Sequence, residues 1–242
     1  MVVSTRGIVL HHIKYSETSL IVYVYTEMFG RQSFLVKGVY SKKSKIKANI
    51  LQPFWIIDVV YSHSQKRDLH IAKEIGCHIP LQGIGSDISK TTLTLFLSEI
   101  LYKTLKEESP NQPLFDFLLN SILLLDHSHT NIQNFHIIFL VQLAKYLGFF
   151  PDNTYTATNK YFDLKEGHFV TIPPVLHDYL SPQTGLIFSE IIHSSFNFDA
   201  DKIQINKVHR MELLEKIIDF YKLHIDGLHE IKSLAILREI FA

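Results

Sequence analysis

Five lysines fall within eleven residues of this chain, in the stretch KGVYSKKSKIK that begins at Lys37. Lysine ammonium groups neutralise phosphates and release counterions, and an aromatic ring such as that of Tyr40 offers a surface on which a base can stack. The chemistry that this pattern indicates is the binding of a polyanion. The alternative is a solvated loop that only adds charge to the surface, and composition alone leaves both open.

The formal net charge is zero, but the charged residues are unevenly distributed. Residues 1–80 hold eleven Lys or Arg and five Asp or Glu, so this part carries +6 and the remainder carries −6. No acid lies between Glu27 and Asp58, a window that contains six basic residues. Opposed parts of this kind indicate that one part binds an anion and the other does not.

Motifs for catalysis are missing from the sequence. GIGSD at residues 83–87 lacks the third glycine of a dinucleotide-binding loop and the downstream acid that would bind a ribose. No phosphate-binding loop, zinc-protease motif or nucleophile elbow occurs. The basic part also lacks the clustered Asp and Glu residues that would hold the metal ions of a nuclease. We therefore predict that the protein is not an enzyme and needs no cofactor.

Histidine and cysteine patterns do not indicate a metal site. The closely spaced histidines His127 and His129 would point about 200° apart on a helix, and no third ligand is evident. The single cysteine, Cys77, can form neither an internal disulfide nor a thiolate metal cluster, which favours a reducing compartment. We expect Cys77 to be a buried, small apolar residue.

The sequence favours a cytoplasmic protein. Its N-terminus lacks the basic-then-apolar pattern of a signal peptide. The longest unbroken apolar run, Leu20–Tyr25, has six residues. A membrane-spanning helix needs about 20 residues.

The first 80 residues are predicted to form strands. Runs rich in β-branched and aromatic residues occur at STRGIVLHH, SLIVYVYTE, GRQSFLVKGV, ILQPFWIIDVVYS and RDLHIAKEIG. Five strands in about 75 residues indicate a small closed barrel of the oligonucleotide/oligosaccharide-binding (OB) type, with an SH3-like barrel as the alternative. In an OB barrel, strands two and three and the adjacent loops bind nucleic acid, and the basic stretch falls there. Phe34 is expected in the barrel core.

Beyond the junction HIPLQGIGSD, the apolar spacing changes to three and four residues, which is typical of helices. Ser86 or Asp87 is the expected N-cap of the first long helix. A third helix, apolar nearly all round, is expected to end at Gly148. After an irregular part at residues 151–174, which contains the short hairpin KYFDLKEGHFV, helices are predicted at 175–181, 186–195, 204–225 and 232–241.

Together these patterns predict a β + α protein with two domains. Residues 1–80 are predicted to form a five-stranded OB-fold barrel, which would be the nucleic-acid-binding domain if the basic stretch binds a polyanion, and residues 81–242 an α-helical domain. Residues 151–174 form a small cysteine-free hairpin insertion within the second domain.

Five fragments, in order over about 50 residues, resemble the N-terminal domain of the RecO family of bacterial DNA repair and recombination mediators. They are GIVL from Gly7, YSETSL from Tyr15, Thr26 with Gly30, KG with SK between Lys37 and Lys42, and LQPF from Leu51. FLVQLAKYLGFFP and IKSLAILREIF resemble, in plan more than in motif, the central and closing helices of Bacteroidetes members of the family.

The resemblance implies a non-enzymatic, nucleoid-associated mediator with an OB-fold domain and an α-helical domain. It implies binding of single- and double-stranded DNA, annealing of strands, and binding of the C-terminal tail of the single-stranded-DNA-binding protein. It also implies that the protein helps RecR to load RecA on coated single strands. The alternative is a protein-interaction adaptor whose basic barrel binds an acidic protein. The predicted DNA-binding residues are Arg31, Lys37, Tyr40, Lys42, Lys43, Lys45 and Lys47.

The sequence departs from the family pattern in three places. Many members carry a four-cysteine zinc module after the central helix, whereas residues 151–170 here contain no cysteine, so a thiolate zinc site cannot be built. Tyr40 stands where the family often has a basic residue. Gln133 and Asn134 stand where some members have arginines that could meet the acidic tail, so we assign that tail no residues. Without zinc, the hairpin is expected to be held by Tyr155, Tyr161, Phe162 and Phe169.

Overall fold

The computed structural model describes residues 1–41, 46–128, 132–176, 178–194 and 203–241. The chain divides into two compact units, residues 1–128 and 129–242. In the described residues, the first unit contains a barrel and three α-helices, and the second contains a small sheet and four α-helices. The domain boundary predicted between residues 80 and 81 stays a prediction.

Five strands form a closed barrel in the first unit. They pair in the order β1-β2-β3-β5-β4, and β1 closes the barrel by pairing with β4. All pairs are antiparallel except that between β3 and β5. The five-stranded OB-fold barrel is thereby confirmed, and the SH3-like alternative is wrong. The strands are β1 Val2–Lys14, β2 Leu20–Thr26, β3 Gly30–Val36, β4 Ile56–Ser62 and β5 His70–Ile79.

The barrel interior is filled by every second residue of its strands, because successive side chains of a strand point to opposite faces. In β3, buried residues alternate with half-buried ones along the whole strand. Phe34 is fully buried, and its ring packs edge-on against Tyr61 with 4.8 Å between centroids. The prediction that Phe34 belongs to the core is confirmed.

Cys77 is exposed on β5, so the prediction of a buried cysteine is wrong. The first part of β5 pairs with β3 at His70 and Ile71, whereas the part that contains Cys77 pairs with β4 alone. A strand with one neighbour leaves more of its surface to solvent.

Three helices complete the first unit, namely α1 Gly83–Ser86, α2 Ile88–Thr104 and α3 Gln112–His127. Asp87 caps α2, as one of the two predicted candidates. Its Oδ1 accepts hydrogen bonds from the backbone N–H groups of Ser89 at 2.7 Å and Lys90 at 3.3 Å. These bonds satisfy donors that the first helical turn would otherwise leave unpaired.

The second unit is built around α4, Phe135–Leu147, followed by α5 Pro182–His193, α6 Lys207–His224 and α7 Ser233–Phe241. Nine of the thirteen residues of α4 are buried, which confirms it as a central helix. It ends at Gly148, whose φ of 86° lies in the left-handed region that glycine adopts readily.

The helix predicted at residues 175–181 is wrong. Val175 and Leu176 are almost fully exposed, and Tyr179–Leu180 form a short strand, β8. Leu180 pairs with Phe162 of β6 and is buried there, so a non-local strand pairing overrides the local apolar pattern. Pro182, which starts α5, also disfavours helical geometry in the residue before it.

Aromatic side chains hold the predicted hairpin, which is formed by β6 Tyr161–Asp163 and β7 His168–Val170. The ring of Phe169 contacts those of Tyr155 and Phe162 with centroids 5.3 and 5.0 Å apart. Tyr161 contacts Tyr179 across β6 and β8 at 5.7 Å. Within the ranges that the structure describes, no three His, Cys, Asp or Glu side chains are grouped so that they could hold a metal ion. No described helix is long and apolar enough to cross a membrane.

Candidate nucleic-acid interface

Strand β3 ends in a tight turn that exposes two of the predicted site residues. Gly38 has a φ of 68°, a backbone conformation that is costly for residues with a Cβ atom. Ser41 closes the turn by donating from its backbone N–H and its Oγ to the Gly38 carbonyl, at 3.1 and 2.9 Å. Val39 is buried in the barrel core and anchors the turn, while Lys37 and Tyr40 on either side are exposed.

This turn is joined to the loop between β1 and β2. The backbone N–H of Tyr40 donates to the Thr18 carbonyl at 3.4 Å. The loop itself is closed by the N–H groups of Tyr15 and Ser16, which donate to the Ser19 carbonyl at 3.0 and 3.2 Å. The bonds bring the exposed Tyr15 to the same end of the barrel as Tyr40. We call this end of the barrel, which includes Lys37, Tyr40 and Tyr15, the lysine end.

The basic segment is the lysine-rich stretch of residues 37–47 between β3 and β4. After it, the chain returns to the barrel at Leu51. Lys47 is exposed and immediately precedes a 3₁₀ turn, Ala48–Leu51. Leu51 is fully buried, and its carbonyl oxygen is hydrogen-bonded to Nδ1 of His12 at 3.1 Å. Val39 and Leu51 therefore anchor the two ends of the segment. The remaining predicted lysines, Lys42, Lys43 and Lys45, lie outside the described residues.

Arg31 has partners within the protein. Its Nη1 donates to the carbonyls of Tyr102 and Leu105, both at 2.9 Å, at the C-terminal end of α2. Its guanidinium also lies over the rings of Tyr102 and Tyr23, 4.5 and 5.2 Å from their centroids. A cation is favourable beside the last carbonyls of a helix and over aromatic faces. Arg31 thus holds α2 on the barrel, and its contact with DNA stays a prediction.

The outer face of the barrel carries a row of aliphatic side chains. Strand register places Ile13 beside Ile21, Ile21 beside Leu35, and Leu35 beside Ile71. Ile13 is 41% and Ile71 49% exposed. These four residues, which we call the aliphatic row, border the lysine end, because Tyr15 follows Ile13 by two positions.

Helix α2 covers the other side of this face. His11 and Tyr23, which form the row next to the aliphatic row, both pack against Tyr102 of α2. The ring centroids are 4.6 Å apart for His11 and Tyr102 and 4.9 Å apart for Tyr23 and Tyr102. Burial, with a smaller contribution from His12, lowers the pKa of His11. One part of the face is therefore used for packing, and the part nearest the lysines is open.

The two ends of the barrel also differ in whether their charged side chains are paired. Lys14, Lys37 and Lys47 are exposed, and none of them forms an ion pair within the part of the chain that the structure describes. By contrast, Glu27 is hydrogen-bonded to Arg6, and this bond lowers the pKa of the Glu27 carboxyl. The lysine end is consequently one part of the barrel with uncompensated positive charge.

Sequence reasoning missed Lys14 and Tyr15. A signal was available, because His11, Ile13 and Tyr15 follow the two-residue period of β1 and therefore share its outer face. The loop that contains Tyr15 is also one of those that bind ligands in OB barrels.

Comparisons with known proteins cover both parts of the chain. Residues 1–77 match the family model for the N-terminal domain of recombination protein O, and residues 85–235 match that for its C-terminal domain. Over the full length of both chains, the protein is 38% identical to the DNA repair protein RecO of Flavobacterium johnsoniae and 35% identical to that of Bacteroides fragilis. The RecO of Azobacteroides pseudotrichonymphae is 30% identical, again over the full length of both chains. The OB-fold barrel and these matches lead to one conclusion: the chain belongs to the RecO family.

Proposed function

We propose that this protein is a non-enzymatic DNA repair and recombination mediator that binds single- and double-stranded DNA through the basic segment between β3 and β4. The observation that carries the proposal is the exposure of Lys37 and Lys47, which bracket three further lysines on a segment anchored at Val39 and Leu51. The RecO names of its relatives support a role in DNA repair.

Binding is expected to depend on phosphates rather than on base sequence. A lysine ammonium is a compact point charge without the planar fork that reads guanine edges bidentately, so lysines fix the position of a backbone and tolerate any sequence. The proposed residues are Lys37, Tyr40, Lys42, Lys43, Lys45 and Lys47. Arg31 stays a predicted DNA-binding residue, although its Nη1 is bonded to two carbonyls of the α2 end.

We further propose the activities and partners that family membership implies. The protein anneals complementary strands, because lysines that neutralise phosphates reduce the repulsion between two strands. It binds the C-terminal tail of the single-stranded-DNA-binding protein and RecR, and acts on RecA indirectly, in the cytoplasm with the nucleoid. The region after residue 80 carries a net charge of −6 and would present surfaces to proteins rather than to DNA.

The test compares two adjacent pairs of basic residues on the barrel. Lys42→Glu/Lys43→Glu changes the proposed site, and Lys66→Glu/Arg67→Glu makes the same change of charge in the loop between β4 and β5. That loop runs from His63, which stacks on Phe29 at the start of β3 with 4.1 Å between centroids, to His70, which pairs with Phe34. Affinity for a labelled oligonucleotide is measured by fluorescence anisotropy across a salt series.

We expect the first pair to weaken binding to any sequence about 100-fold and to flatten the slope of log K against log salt by about 1.4 on single strands. The control pair should change affinity only a few-fold. Equal losses for the two pairs would show that DNA binding is not confined to the segment between β3 and β4. If the unchanged protein binds no oligonucleotide but does bind an acidic protein, the adaptor function is correct instead.

A further inference from the structure

Two tyrosines differ from the other nine in the chain. Tyr15 is 60% exposed and Tyr40 is 54% exposed, and neither ring has an aromatic or hydrogen-bonding partner among the residues that the structure describes. Each of the other nine is either buried or in contact with another group. One exposed tyrosine is ordinary, but both of these lie at the lysine end.

Backbone hydrogen bonds join the two segments that carry these tyrosines. Tyr15 is hydrogen-bonded to Ser19, and its neighbour Thr18 is hydrogen-bonded to Tyr40. Backbone segments joined in this way lie about 5 Å apart, so the two tyrosines are separated by on the order of 10 Å. At about 3.4 Å per stacked nucleotide of one strand, that distance corresponds to roughly three nucleotides.

Lysines surround both tyrosines and provide the phosphate contacts. Lys14 directly precedes Tyr15, and Lys37 lies in the same turn as Tyr40. All four side chains are exposed. The aliphatic row continues the apolar surface from Tyr15 through Ile13, and such a surface suits bases and not phosphates. A bound strand would therefore direct its phosphates to the lysines and its bases to the tyrosines.

Stacking on these rings is possible only for bases that are not already paired. The faces of bases inside a duplex are covered by their neighbours, whereas the phosphates of duplex and single strand are both accessible. We propose that Tyr15 and Tyr40 stack unpaired bases and thereby make the lysine end prefer single-stranded to double-stranded DNA. The inference rests on the proposed binding of DNA by the basic segment, and it assigns to Tyr15 a role in choosing between the two forms.

The experiment measures the ratio of two affinities. Fluorescence anisotropy gives the Kd of the full-length protein for a 20-nucleotide oligo-dT strand and for a 20-base-pair duplex, at about 0.1 M salt. The variants are Tyr15→Ala/Tyr40→Ala, which removes both rings, and Tyr15→Phe/Tyr40→Phe, which keeps them. Met28→Ala is the control, since Met28 is 48% exposed at the β2–β3 hairpin, about 20 Å away along β3. Thermal unfolding confirms that each variant is folded.

We expect the alanine pair to weaken single-strand binding about 30-fold, from the loss of two stacked bases, and to change duplex binding less than about twofold. The phenylalanine pair and Met28→Ala should keep the ratio of the unchanged protein. Equal losses on both DNA forms, or no loss on either, would overturn the inference while the proposed DNA binding stands. If the unchanged protein binds neither DNA form, the proposed function itself is wrong and the inference falls with it.

Discussion

Strand β3 has a basic residue near its start and another just beyond its end, and the two residues do different work. Arg31, near the start, donates to two carbonyls at the end of α2 and lies over two tyrosine rings. Lys37, after the last residue of the strand, is exposed and forms no ion pair in the described part of the chain. The difference shows that a cation is available to a ligand only where no intramolecular acceptor already binds it.

The glycine that begins β3 and the glycine just after its end also differ in how closely other atoms surround them. Both have positive φ angles, 61° at Gly30 and 68° at Gly38. A Cβ atom on Gly30 would lie 2.4 Å from the carbonyl oxygen of Ser109 and 2.6 Å from that of Glu107. On Gly38 its nearest neighbour would be Ser41 Oγ, at 3.5 Å. Gly30 is thus required by close packing as well as by backbone conformation, and Gly38 by conformation alone.

The largest effect is expected from alanine at these two positions. Gly30→Ala should lower the free energy of unfolding by about 3 kcal/mol, because it adds a steric overlap to the conformational cost. Gly38→Ala should lower it by about 1 kcal/mol. Urea unfolding followed by the fluorescence of Trp55, the one tryptophan of the chain, reports on the barrel. Equal losses would show that residues 107–109 move aside without cost.

A smaller effect, with opposite consequences for stability and binding, is expected from the two cations. Arg31→Ala should lower the free energy of unfolding by about 2 kcal/mol, since it leaves two carbonyls without their charged donor. Lys37→Ala should change it by less than about 0.5 kcal/mol, but should reduce the salt slope of single-strand binding by about 0.7. If Arg31→Ala kept full stability and lost DNA affinity, Arg31 would belong to the binding site after all.

The smallest effect on the free energy of unfolding is expected from a change of pH, which acts on His11 in the part of the barrel face that α2 covers. Burial lowers the pKa of His11, so the folded state keeps this ring neutral below the usual value of about 6.5. As pH falls from 7.5 to 5, the unfolded state takes up the proton more readily, and the free energy of unfolding falls. In His11→Gln this decline should be shallower. His70 and His136 also have lowered pKa values, but they are present in both proteins and leave the difference to His11. Identical pH profiles of Trp55 unfolding would contradict this account.

The parts of the fold that could be predicted are those governed by local patterns. The two-residue period and β-branched composition predicted the barrel strands and the buried Phe34. Asp87 was predicted as an N-cap because its short side chain can accept hydrogen bonds from nearby backbone N–H groups. The helix at 175–181 and the burial of Cys77 were wrong for non-local reasons. Leu180 is buried against Phe162, eighteen residues earlier in the chain, and Cys77 is exposed because its part of β5 has one neighbouring strand.

The residues of the candidate site likewise divide into those whose environment follows from local sequence and those whose environment depends on distant contacts. Lys37, Tyr40 and Lys47 are exposed, which follows from their position between two strands. The partners of Arg31 could not be predicted, because Tyr102 and Leu105 lie more than seventy residues later in the chain. The period of β1 indicated that Tyr15 faces outward, but its proximity to Tyr40 depends on the bond between Thr18 and Tyr40, which only the folded barrel creates.

The anchoring of the basic segment by Val39 and Leu51 has a consequence for how this surface can evolve. Eleven residues separate the two anchors, and each doubling of such a loop costs only about 0.6 kcal/mol of closure entropy. Extra lysines inserted before Ile46, which packs against the barrel core, therefore leave the barrel almost as stable as before. Selection can adjust the strength of anion binding in this segment independently of folding.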